Sequence, residues 1–204
     1  MAVLQIPAHD TFRRVQRIQT ITICWMTVEA AVSLAAAWTA RSPALLAFGG
    51  DSAIELLSAI VVLWRFRTNT AQEQSENLAA RIAAVLLFML AAYVAMVSVR
   101  TLLGHSEVKT TYLGLAILIA AAAIMPWLAK EKRKLSAVTG SAALRADATE
   151  SALCAYLSVV ALFGLGVNAI WHVTWADPVA ALVIVPLILR EGWEAILGKA
   201  CSCC

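Results

Sequence analysis

Charge is scarce in this chain. Only 14% of its 204 residues are Asp, Glu, Lys or Arg, against 61% hydrophobic, and the mean hydropathy is +0.79. A soluble domain carries about 25% charged and about 45–50% apolar residues. The shortage excludes an ordinary soluble globule and predicts an integral membrane protein. The net charge of +3 is spread as flanks of apolar runs and forms no patch, which argues against a nucleic-acid surface. Histidine is nearly absent too: there are three, and none lies inside an apolar run. With no HExxH motif and no evident nucleophile, an intramembrane metalloenzyme, which needs an open metal position and a general base, is a distant reading and no enzymatic activity is expected. Cysteines are five, two in apolar runs (Cys24, Cys154) and three crowded at the end (Cys201, Cys203, Cys204). They lack the even spread of a disulfide framework and read as reduced thiols.

What the chain has in quantity is long apolar runs. About 20 apolar residues cross a bilayer, and six such runs occur, roughly 18–40, 43–64, 80–100, 111–129, 142–168 and 177–196. Short polar links separate them. The first run follows Arg13, Arg14 and Arg17 but is too long for a signal peptide and is interrupted by Glu29, so it is kept as a mature helix. The expected organisation is a cytoplasmic N-terminal segment (1–17), a six-span transmembrane domain (18–196) and a cytoplasmic Cys-rich tail (197–204). Twelve Lys/Arg fall on the side of the termini and the 2–3 and 4–5 links; three (Arg41, Arg100, Lys109) fall opposite. That bias places both termini in the cytoplasm, and a multi-pass protein of the cell membrane is expected. Within it the basic run 130–134 reads as a positive-inside flank.

Two segments repeat each other. SPALLAFGGDSAIE (42–55) and SAALRADATESALC (141–154) are offset by 99 residues and identical at six of 14 positions. The repeat relates span 2 to span 5, so its unit is three spans, and an odd number of crossings inverts the second copy. The predicted fold class is an all-α membrane protein, a six-transmembrane-helix bundle of two inverted three-helix repeats, a plan that places sites near the bilayer midplane. The alignment pairs Asp51 with Glu150 and Glu55 with Cys154. Each pair is spaced i, i+4 and shares a helix face. Asp51 and Glu150 each sit nine residues into their segments, which is about 13 Å of helix rise from opposite faces of the membrane. Ionisable groups at that depth are expensive and mark function. Asp51, Glu55, Glu150 and Cys154 therefore form a candidate metal site. Oxygen with thiolate ligands suits zinc best, with cadmium, cobalt and iron(II) open, whereas calcium and magnesium want more oxygens and no thiol. The bland alternatives are polar glue between helices for the carboxylates and a small buried hydrophobe for Cys154.

Other residues carry several readings at once. Asp147 shares the face of Glu150 and can widen the site, relay protons or pair with Arg145. Glu29, alone in mid-span, reads as a proton site, an outer-shell ligand or a partner for a neighbouring helix. Gly49 and Gly50 permit close helix approach. Asp177-Pro178 reads as an N-cap and first-turn proline opening span 6. His105 and His172, in the outer links, read as solvated. Cys201, Cys203 and Cys204 read as a soft-metal capture tail, as acylation sites or as an end without a role.

ALLAFGGDSAIELLSA, AALRADATESALCAYLS and ADPVAALVIVPLILREG resemble the span-2, span-5 and span-6 signatures of the cation diffusion facilitator family, over about residues 15–196. The resemblance implies six spans and efflux of a divalent transition-metal cation, zinc first, by alternating access with protons as counter-ion. It also implies a homodimer. Asp51, Glu55, Glu150 and Cys154 match its four ligand positions, with Glu150 where His is usual and Cys154 where Asp is usual. The metal is cargo, and no resident cofactor is expected. Neither the histidine-rich 4–5 link nor the C-terminal cytoplasmic domain of the family is seen, which resembles its short zinc-binding members. A non-transporting membrane metal-binding or metal-sensing protein is the rival reading.

Overall fold

A computed structural model of the chain describes residues 8–68, 73–104, 107–140 and 142–196. Six helices make up the described residues, with no strand among them: α1 (Ala8–Ala40), α2 (Pro43–Thr68), α3 (Glu73–Leu102), α4 (Tyr112–Thr139), α5 (Ala142–Trp171) and α6 (Ala176–Ile196). Four stretches are long and apolar enough to cross a membrane by themselves: Arg13–Ala40, Arg81–Leu102, Tyr112–Thr139 and Asp147–Trp171. Their outer faces carry large exposed apolar side chains, among them Phe163 (73% exposed), Ile170 (67%) and Met89 (64%). A water-soluble surface does not present so many, and a lipid-facing one does. The protein is an integral membrane protein.

The helices outrun the apolar runs that announced them. Lys130–Thr139, expected as a polar link, continues α4, and Glu73–Ala79 belongs to α3. The reason is local. Lys, Glu, Arg and Leu are good helix formers, and nothing breaks α4 until Gly140, which takes the left-handed φ of 66° that ends it. Arg41 plays the same part after α1 at φ 52°, a conformation that a side chain adopts at some cost. The two helix-to-helix corners, Ala40 to Pro43 and Thr139 to Ala142, are offset by the same 99 residues as the sequence repeat.

Packing follows the small residues. The helices meet as α1 with α2, α4 with α5 and α3 with α6. Further contacts join α2 to α3, α5 to α6, α1 to α4, α2 to α5 and α2 to α6. Gly49 lets α1 approach so closely that a Cβ added there would lie 2.9 Å from the Ser33 Cβ, and a Cβ on Gly164 would strike Ala180 of α6. These are the close approaches expected of small residues in membrane bundles. Met26, Phe48, Leu118, Met125, Leu157 and Ile184 fill the space between.

One end of the bundle is tied by polar contacts across sequence. The Ser42 hydroxyl accepts from the Leu45 amide at 3.1 Å, capping α2, and donates to Asp177 Oδ1 at 2.7 Å. Asp177 Oδ2 accepts from the Ala44 amide at 3.3 Å. This corrects the expectation that Asp177 caps its own helix. It is the second residue of α6, fully buried, and its carboxylate serves the start of α2 instead. The first-turn amides of α2 have no intrahelical partner and attract an anion. The α3–α4 link closes on the same end, where the Lys109 amide donates to the Ala40 carbonyl at 2.8 Å and Asn168 Nδ2 to the Val108 carbonyl at 3.4 Å.

Candidate metal centre

Asp51 sits eight residues into α2, about 12 Å of rise from its start, with Glu55 one turn further on the same face. Gly50 exposes that stretch to α3, where Leu90 fills the space a side chain would take. Cys154 comes from α5, which crosses α2 here. The ligating atoms of Asp51, Glu55 and Cys154 all lie within 4.8 Å of one another, and all three side chains are buried, at 3%, 5% and 0% exposure. Two carboxylates and a thiol, gathered inside an apolar bundle, are a donor set for a divalent transition metal.

Glu150 is half-buried on the same face of α5. Its charge faces Asp51 and Glu55, though it stands outside the three-residue cluster. A further carboxylate enters from α6: Glu191 lies beside Asp51, with Glu55 and Glu150 also near it. Glu191 escaped the sequence reading because Arg190 beside it and Trp193 after it make it look like the edge of a span. The available signal was an acidic residue inside the last apolar run, before its interfacial tryptophan.

Glu29 of α1 is fully buried and touches the cluster through Cys154. Its Oε1 accepts from Ser52 Oγ at 2.7 Å and from Cys154 Sγ at 3.3 Å, with Ser52 Oγ and Cys154 Sγ 3.7 Å apart. Of its open readings, contact with neighbouring helices is what the geometry displays. Its second oxygen, like the hydroxyl of Ser33 one turn along, has no protein partner.

Of the readings open for Asp147, the structure bears on the pairing with Arg145, and Asp147 pairs elsewhere. Arg145 is exposed, whereas Asp147 is buried and forms an ion pair with Lys132 of α4, Nζ to Oδ2 at 3.0 Å. Gln19 Nε2 of α1 donates to the same oxygen at 2.6 Å. Lys132 is the exception within the positive-inside flank read at 130–134, where Lys130, Arg133 and Lys134 are exposed. It is completely buried, on the face that Leu118, Ala121, Met125, Leu128 and Ala129 turn to the core. Lys132 Nζ also donates to Ser151 Oγ at 2.7 Å, and Ser151 Oγ donates to Glu55 Oε1 at 3.0 Å. His172 sits exposed after α5 at φ 57°. His105 and the tail cysteines Cys201, Cys203 and Cys204 lie outside the described residues.

With this geometry in place, the sequence match is specific in extent. The model of the cation efflux transmembrane domain matches residues 20–198, nearly the whole bundle, and the chain belongs to that family. Metal cation transport is the activity the family defines, with a divalent cation as substrate; it is a transporter family and not an enzymatic one. No curated protein matches the chain at a significant level.

Proposed function

We propose that the chain exports a divalent transition-metal cation, zinc first, by alternating access in exchange for protons. Asp51, Glu55 and Cys154 are its ligands, and Glu150 completes a fourth position. The observation that carries this reading is the buried Asp51–Glu55–Cys154 cluster. Such a cluster, with no ion-pair partner for Asp51 among the described residues, holds several acidic groups in an apolar interior, and a metal ion or protons must satisfy them. The crowding of Asp51, Glu55 and Glu191 inside the bundle supports the exchange. Protons held on such carboxyl groups must leave when a metal takes their oxygens, because ligands bind metal deprotonated.

The two-repeat plan is part of the same proposal. In its favour, both corners carry a left-handed residue 99 positions apart, and the pairing of α1 with α2 and of α2 with α3 has its counterpart in α4 with α5 and α5 with α6. Two similar halves, which meet through α3 with α6, α1 with α4 and α2 with α5, can rock about the cluster, which lies between α2 and α5. The Lys/Arg bias supports an orientation with both termini on the cytoplasmic side. Metal loads there, where carboxylates lose protons, and is released on the more acidic side.

The test is zinc flux into sealed vesicles holding the full-length chain, with a pH gradient imposed in either sense. Flux is expected to follow the gradient and to reverse with it. Zinc affinity measured on the purified protein is expected to fall as pH falls, because protons and metal compete for the same oxygens. Binding without gradient-dependent flux would move the protein to the non-transporting class of membrane metal-binding proteins.

A further inference from the structure

Lys132 is the one lysine among the described residues that is completely buried. A buried ammonium is costly unless it is paired and hydrogen-bonded. Asp147 alone would meet its charge, yet the nearest partner of Nζ is the Ser151 hydroxyl, at 2.7 Å against 3.0 Å for Asp147 Oδ2. Ser151 has one hydrogen to give and two acceptors in reach, Glu55 Oε1 at 3.0 Å and the Asp147 carbonyl at 3.1 Å. An ammonium cannot accept that hydrogen, and by donating into the hydroxyl it strengthens Ser151 as a donor.

Asp147 in turn is held from the other side by Gln19. The chain of contacts runs from α1 through α5 and α4, back to α5, and ends on a proposed ligand of α2. It fixes Glu55, through Oε1, to α5. Groups that hold a ligand in place from behind contribute to metal affinity nearly as the ligands do.

We infer that Lys132, acting through the Ser151 hydroxyl, is a positioning residue for Glu55 and so sets the affinity of the metal site. This rests on the assignment of Glu55 as a ligand. Lys132 touches no proposed ligand itself, and no role in proton exchange is assigned to it.

Two variants of the full-length protein test the inference. Lys132→Met with Asp147→Asn removes both charges of the pair and leaves Gln19 an acceptor. Ser151→Ala removes only the hydroxyl, and carries the test whatever the double replacement does to the fold. Each is expected to raise the KM for zinc flux, and the zinc dissociation constant of the purified protein, by about 10- to 100-fold, with the maximal rate retained. Because the two act on one path, combining them is expected to add little to either alone, and Ser151→Thr, which keeps the hydroxyl, is expected to stay near wild type. Wild-type zinc affinity in Ser151→Ala, with Glu55→Gln strongly impaired, would overturn the inference and leave the site assignment standing. Wild-type affinity in Glu55→Gln as well would overturn both.

Discussion

Asp51→Ala is expected to reduce zinc flux at least about 100-fold, since losing a ligand should cost no less than losing a group that merely supports one. The protein should nonetheless insert and fold. Alanine is the best helix former, the replaced side chain sits inside α2 with its helix hydrogen bonds independent of it, and removing one of several neighbouring carboxylates relieves like-charge crowding with Glu150 and Glu29. A loss of flux with unchanged thermal unfolding in detergent is therefore the signature of a ligand. Full transport by Asp51→Ala would show that the cluster does not carry the ion. Parallel loss of folding would point to a structural role.

The second large effect is on stability. Lys132→Met alone is expected to destabilise the protein by about 3–5 kcal/mol, because it leaves Asp147 buried with an uncompensated charge. Gln19 still donates to Asp147 Oδ2, but Asp147 Oδ1 already has no protein partner, so nothing else among the described residues neutralises the carboxylate. Adding Asp147→Asn should restore most of the loss, since removing both members of a buried pair is often close to neutral. Thermal unfolding of the purified single and double variants measures this coupling. A single variant as stable as wild type would mean that Asp147 carries no charge in the folded protein.

The membrane class, six helices and the three clustered residues were legible in the sequence because each leaves a one-dimensional trace. Apolar runs mark the helices, and i, i+4 spacing inside them put Asp51 and Glu55 on one face before any contact was known. Cys154 was reached through the repeat that aligns it with Glu55 and through the family resemblance. What stayed hidden depends on rotation and on distance in space. Lys132 lies in a run of five mostly basic residues, and that composition reads as a positive-inside flank. Its register with Leu118, Ala121, Met125 and Leu128 turns it inward. Read as a periodicity that continues past the apolar run, the pattern would have exposed it. Asp177 satisfied a local rule for capping its own helix so well that a partner 135 positions away, Ser42, was not sought. Glu191 was masked by the charged and aromatic residues that end α6. Helix ends erred for a related reason: hydropathy reports the apolar slab, whereas propensity carries α4 on to Gly140.

The most direct test of the central claim is zinc X-ray absorption on the purified full-length protein with Cys201, Cys203 and Cys204 replaced by serine, so that the tail cannot supply sulfur. The account predicts one sulfur at about 2.3 Å and oxygens at about 2.0–2.2 Å, with the sulfur lost on adding Cys154→Ser and no change on adding Cys24→Ser. A zinc shell without sulfur, or one indifferent to Cys154, would contradict the buried cluster as the site that holds the transported ion.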